Sequence, residues 1–419
     1  MALAHEIAVN EDFKVGGAEP GSELEARVKT IVHTAFWDHI REAMAKQPPE
    51  HEVVLELVAE LKASFQKLTL PHQEKLRSEI EGLLDMELLK QEAEKGSLDY
   101  DQLSLAVQAF MSRLCAPARD EAVAKLRLET DLVLRFRGIM EAMEEMKADM
   151  ANFTIQAARP MIQEHSVAYE QEKFAATLAR AGPDALRHTQ AWLRLAWESL
   201  QATSPPAAKS SAAPSPAPAK AAVIAEAYLQ LLDPVPDNRP LPETLAVDEG
   251  RLLTLRLRQL QLVLSTAAVL ATVSAAPSAL PATFKAQLKG KLLPLLEEVR
   301  QRTLSGKLAT LTETCLSELR EAAGELEEEA VVRPLRTNLL QLLQPQHPIR
   351  ALIQKRVREF QRGLLEGQGG GGNASVAFPL GLGLVQAELV ELSRSFLRLT
   401  GHNRAVHASR YDQIIQGFQ

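Results

Sequence analysis

Apolar residues recur every three to four positions from one end of this chain to the other, and that rhythm constrains the fold more than any other feature. Leu24, Val28, Ile31, Val32, Ala35, Phe36 and Ile40 fall on one helical face, and Val54, Leu57, Val58, Leu61, Phe65 and Leu68 repeat the pattern. Each stripe is expected to turn toward a core. Start and stop signals bracket the stripes. Ser22 followed by Glu25 forms a capping box, and Pro48-Pro49 stops the first helix. Pro71 suits a first turn, and the helix it opens is expected to run through Leu76, Ile80, Leu83 and Leu84 to a C′ glycine at Gly96. Leu103, Val107, Phe110, Met111 and Leu114 mark the next helix, ending near Cys115. Pro117 then restarts the chain with Asp120 and Glu121 in a new first turn. Met143, Met146, Met150, Phe153 and Ala157 continue the pattern until Pro160, where a kink or break is expected. Ile349, Leu352, Ile353, Phe360 and Leu364, and later Leu389, Leu392, Phe396 and Leu399, show the same period. Sustained two-residue alternation is missing. The chain therefore reads as all-α, a multi-helix bundle or an elongated helical array.

Two stretches interrupt the rhythm. Ala202 to Lys220 holds five prolines and no aliphatic side chain larger than alanine, so it cannot bury enough surface to order itself. Gly367 to Gly372 is a shorter break. The expected organisation is an N-terminal extension over 1–21, partly extended, and a helical region over 22–201. A flexible Ala/Pro/Ser linker over 202–221 then leads to a C-terminal helical region over 222–419, with a Gly-rich loop at 367–375.

Composition narrows the function classes. A net charge of −7, from 47 basic and 54 acidic side chains, opposes broad binding to nucleic-acid phosphates. Aromatics at 5% leave few platforms for stacking bases. The two cysteines, Cys115 and Cys315, form no CxxC pair and no disulfide framework, which fits a reducing compartment. MALAHEIAVNEDF lacks the basic and apolar regions of a secretory signal, and a cytoplasmic location is expected. There the sequon Asn373-Ala374-Ser375 would go unused. Gln259 to Phe284 carries no charge over a length that could cross a bilayer, yet it contains two glutamines, several hydroxyl residues, Pro277 and Pro281. A helix buried in a protein core is the better reading.

A search for reactive constellations finds none that converges. His5-Glu6 and His51-Glu52 lack the second histidine of HExxH, and His33 and His39 lie six apart on different helix faces. No GxSxG elbow or phosphate loop occurs, and Gly381-Leu-Gly383 lacks a third glycine and a preceding strand. No catalytic residue, cofactor or metal ligand is assigned, and the chain is expected not to be an enzyme. Ile353-Gln354 with Arg358 and Arg362 is similar to a calmodulin-binding IQ pattern, but Glu359 stands where a glycine is usual and the last basic residue is misplaced. That argues against calmodulin. An amphipathic core helix with a basic outer face accounts for the same residues, and such a face could also touch an anionic membrane surface.

Several strings read together carry a resemblance. HEIAVNEDF (His5 to Phe13), AFWDHI (Ala35 to Ile40), RLCAPARDE (Arg113 to Glu121), DMANFTIQAARP (Asp149 to Pro160) and YEQEKF (Tyr169 to Phe174) occur in order over the first two hundred residues. In these the chain resembles the T-complex protein 11 family, nearest its T-complex-protein-11-like members. The resemblance implies a helical, non-enzymatic protein of signal transduction, associated with the cAMP and protein kinase A pathway. A yeast relative compensates for loss of that kinase, and other members are associated with sperm function and the cytoskeleton. The implied partners are signalling or cytoskeletal proteins. Within the shared strings, Arg113, Arg119, Asp120, Glu121, Asp149, Asn152, Gln156 and Arg159 form the candidate polar set. They read either as a recognition groove or as an ion network fixing helix register, since buried charges require partners. Cys115 reads as a small packed residue.

Overall fold

A computed structural model describes residues 2–16, 23–47, 49–70, 72–182, 184–203, 218–233, 240–297, 304–367 and 376–418. Helices account for nearly all of it, and no strand occurs among the described residues. The all-α expectation holds. Ser22 of the capping box, Pro48, Pro71, the sequon, positions 204–217 of the Ala/Pro stretch and positions 368–372 of the glycine run lie outside the described residues.

The chain divides into two compact units, Glu6–Glu164 and Met1–His5 joined with His165–Gln419. The first unit contains most of α1 (Ala2–Val9), then α2 (Glu23–Ala45), α3 (His51–Leu68), α4 (Glu74–Leu83), α5 (Met86–Glu94), α6 (Tyr100–Leu114), α7 (Asp120–Leu126) and the first part of α8 (Leu132–Ala181). Its core is made where stripes of opposing helices meet. Val58, Leu61 and Phe65 of α3 pack with Val107 and Met111 of α6 and with Phe136, Ile139 and Met143 of α8. Phe65 and Phe110 meet edge to face with centroids 5.2 Å apart, an arrangement favoured by the ring quadrupole. Arg135 is buried with its charge answered: Nη1 donates to Asp101 Oδ1 at 2.6 Å and Ser104 Oγ at 2.9 Å, and Nε to Glu129 O at 3.0 Å.

Three local expectations need correction. The helix expected to reach Gly96 unbroken is two helices, α4 and α5. Asp85 splits them, because its carboxylate accepts from the backbone N–H of Glu87 and Leu88 at 3.0 and 3.2 Å and so caps a new start. Gly96 does end α5, with φ of +68° and Ser97 N bonded to Glu92 O at 2.9 Å. Pro160 does not end its helix; α8 runs through it as 50 residues. A proline removes one helical hydrogen bond, and the helix continues past that gap. The third concerns α2. Leu24, Val28, Ile31, Val32 and Phe36 are exposed, and only Trp37, Ile40 and Ala43 in the last third are buried. Just that end of α2 reaches the core. Phe153 and Ala157 of α8 are likewise exposed, although Met143 and Met146 are buried.

The second unit holds the end of α8, α9 (Arg187–Thr203), α10 (Lys220–Leu232), α11 (Glu249–Ser274), α12 (Phe284–Leu296), α13 (Leu304–Ala323), α14 (Arg333–Gln341), α15 (Pro348–Gly367) and α16 (Gln386–Gln416). The uncharged stretch noted in the sequence covers the second half of α11 and the turn that leads to Phe284. The helical span Glu243–Ser274 is long and apolar enough to cross a membrane, yet two thirds of its most apolar window is buried within the protein. Leu264, Ala267, Ala268 and Val269 are fully covered, packed with Leu288 and Leu292 of α12 and Leu311 and Leu316 of α13. Its glutamines are satisfied inside: Gln261 Nε2 donates to Leu296 O at 2.7 Å, and Gln361 Nε2 to Gln259 Oε1 at 2.8 Å. Arg358 and Arg362 of α15, the residues of the IQ-like pattern, converge on Glu226 at 2.5 and 2.6 Å.

Candidate functional site

Two of the shared strings meet in the first unit. Arg159 of α8 donates from Nη1 to Ile7 O and to Asn10 O, each at 2.8 Å. Carbonyls in the last turn of a helix have no intrahelical partner, so a guanidinium there satisfies them and complements the negative helix end. Seven residues earlier, two turns along the same face, Asn152 clasps the strand-like chain beyond α1. Its Nδ2 donates to Val15 O at 2.7 Å, and Oδ1 accepts from Val15 N at 2.6 Å. HEIAVNEDF is thus held by DMANFTIQAARP.

The other candidate residues lie in separate small groups. Arg119 pairs through Nε with Asp149 at 3.1 Å and through Nη1 with Glu145 at 2.9 Å. Those carboxylates hold its guanidinium above its ordinary pKa, with Asp149 the main cause. Asp149 also lines a cleft of about 290 Å³ with Leu68, Leu114, Met146 and Met150. Asp120 accepts from the Cys115 thiol at 3.2 Å. Burial, and then that carboxylate, push the thiol's pKa up, so it is a poor nucleophile. Arg113 pairs with Glu79 at 2.9 Å, Glu121 with Lys125 at 2.8 Å, and Gln156 is exposed. The eight residues do not form one network.

The second unit contains a polar cluster that sequence spacing did not reveal. His5 of α1 is buried with its two ring nitrogens facing two acids. Nδ1 lies 3.0 Å from Glu170 Oε2, and Nε2 lies 2.9 Å from Asp248 Oδ1. Glu170 sits on α8 and also meets His402 Nε2 of α16 at 2.9 Å. Asp248, at the end of the 3-10 turn Glu243–Asp248, takes a further bond from Arg251 Nη1 at 2.6 Å. Burial alone would lower the pKa of His5, but its hydrogen bonds to the Asp248 and Glu170 carboxylates win and raise it to about 9. Burial would raise that of Glu170, and the bonds to His402 and His5 instead bring it down to about 2. Beside them His407 is held at about 4 by burial, helped by the charge of Arg410. Tyr228 and Tyr411 both place their hydroxyls on Asn403 Oδ1, at 2.8 and 2.7 Å. His5 and Glu170 each belong to a shared string; Asp248 and His402 carry no sequence signal, because only folding brings residues so far apart together.

A sequence profile described as T-complex protein 11 matches residues 3–416. The chain belongs to the T-complex protein 11 family. Among its family relatives, the T-complex protein 11 homolog of Homo sapiens is 36% identical over 443 aligned positions, covering 99% of this chain and 86% of that protein. The Rattus norvegicus T-complex protein 11 homolog is 34% identical, covering 99% and 77%. T-complex protein 11-like X-linked protein 1 of Homo sapiens is 35% identical, covering 99% and 86%. No solved structure matches this family member. The match runs through the Ala/Pro stretch into the second unit, so the family likeness extends well beyond the strings that first carried it.

Proposed function

We propose that this T-complex protein 11 family member is a cytoplasmic, non-enzymatic helical adaptor or regulator in signal transduction, linked to the cAMP and protein kinase A pathway. The observation that carries the reading is the uncovered stripe of α2. Leu24, Val28, Ile31, Val32 and Phe36 stand exposed at spacings of four, three, one and four residues. They cover about 18 Å of helix at 1.5 Å per residue. Helix-in-groove recognition uses anchors at this spacing, with the apolar face of one helix laid into a groove on its partner. Isolated exposed apolar residues need no explanation, but an aligned stripe marks an interaction surface. We take its occupant to be a protein of the cAMP and protein kinase A pathway, the partner class that the resemblance to the family implies.

The test uses the immobilised full-length protein with purified kinase holoenzyme, with and without cAMP. Saturable retention that cAMP alters, and that Val28→Gln with Ile31→Gln removes, supports the reading. Absence of retention in both conditions overturns it. Direct co-sedimentation of the purified protein with microtubules or actin would instead place it among cytoskeletal proteins. Flotation with anionic vesicles would place it at a membrane surface.

A further inference from the structure

We propose that His5, Glu170 and His402 bind a divalent transition-metal ion of the zinc class, with water in a fourth position. Nδ1 of His5, a carboxylate oxygen of Glu170 and Nε2 of His402 lie within 4.8 Å of one another. Glu170 Oε1 stands 3.1 Å from His5 Nδ1 and 2.9 Å from His402 Nε2. Ligand bonds of 2.0–2.1 Å in a tetrahedron place neighbouring donor atoms about 3.3 Å apart. Each imidazole nitrogen thus stands within tenths of an ångström of that spacing from the carboxylate, and a shared ion would draw the two nitrogens together from their separation of at most 4.8 Å.

The donor set selects the metal class. Two imidazoles and one carboxylate suit zinc and its neighbours, whereas calcium and magnesium favour oxygen ligands throughout. The outer contacts of His5 agree. A metal-bound histidine almost always gives its other ring N–H to a carboxylate or carbonyl, which fixes the tautomer and aims the free nitrogen at the ion. Asp248 stands in that place, 2.9 Å from His5 Nε2, and is itself steadied by Arg251. His5 Nδ1 is then the atom left to face Glu170 and the ion.

Room for a water is also present. A cavity of about 30 Å³ adjoins the cluster, lined by His5, Glu170, Asp248, Phe174 and His407. One water needs roughly 10–15 Å³ of such space together with polar neighbours. His407 is 94% buried, the complement of its 6% exposure. Its Nδ1 finds no hydrogen-bond partner among the described residues. A metal-held water would supply one, and it accounts for a buried orphan that the ion cluster alone leaves unexplained.

The alternative is a purely structural ion cluster in which a proton on His5 takes the metal's place. Metal and proton compete for the same nitrogen, so the two states are separable by measurement. The full-length protein is stripped with a chelator, desalted and titrated with zinc, with metal content read by mass spectrometry. The expected result is one zinc per chain. Affinity should fall at least tenfold in His402→Gln and about 10- to 100-fold in Asp248→Asn, which touches only the outer contact. Because a variant could fail to fold, cobalt is added to the wild-type protein as an independent probe. Strong visible bands of four-coordinate cobalt support the site. No saturable zinc uptake, equal affinity in a folded His402→Gln, or the pale spectrum of six-coordinate cobalt would each overturn it.

Discussion

Helices α2 and α3 follow one another in sequence and carry the same apolar rhythm, yet they end in opposite circumstances. In α3 the stripe from Val54 to Leu68 is buried along its whole length. In α2 the stripe from Leu24 to Phe36 faces solvent, and only Trp37, Ile40 and Ala43 are covered. A period of 3.6 says that a segment is helical and two-faced. It does not say what covers the apolar face. That cover is supplied by tertiary neighbours for α3, and on our reading by another protein for α2.

Substitutions along the two helices should separate the cases. The largest effect is expected from Phe65→Ala, which empties a fully buried site beside Phe110. Loss of about 3–5 kcal/mol in urea unfolding is expected. A loss below about 1 kcal/mol would mean that α3 is not the core helix described. Within α2 itself, Ile40→Ala should cost about 2–5 kcal/mol, since Ile40 is fully buried. The same deletion nine residues earlier, Ile31→Ala, should stay within about 0.5 kcal/mol, because Ile31 is 65% exposed. Equal costs at the two positions would erase the distinction between the covered and uncovered parts of α2. Between these extremes lies Asp85→Ala, which removes the cap that starts α5. About 1 kcal/mol is expected, with faster amide exchange at Glu87 and Leu88. Unchanged exchange there would show that the break between α4 and α5 does not depend on the cap.

The sequence was most informative where structure is local. Asp120 and Glu121 in the first turn of α7, the stop at Cys115 and the left-handed Gly96 all rest on neighbours a few residues away, and they are legible for that reason. The division at Asp85 was missed because Leu83 and Leu84 continue the apolar rhythm, and the competing cap is a single short side chain. A proline in a helix costs one hydrogen bond, which suggests a kink or break at Pro160, yet the helix runs on through it. The candidate residues show the same limit. Arg159 and Asn152 were found through the strings that contain them, but their partners are backbone atoms near the start of the chain. His402 and Asp248 join His5 across 397 and 243 positions. No spacing rule spans such separations.

The central claim, that the stripe of α2 is a binding surface rather than an unfinished piece of core, is tested most directly on one protein. Val28→Gln with Ile31→Gln introduces good helix formers while removing two of the three middle anchors. Melting temperature and retention of purified kinase holoenzyme are measured on the same preparation, beside Ile40→Ala. The account predicts that the double variant melts within about 2 °C of the parent and loses more than tenfold in retention. Ile40→Ala should lose both in step. Retention equal to the parent, or a loss that only follows the fraction of folded protein, would contradict it.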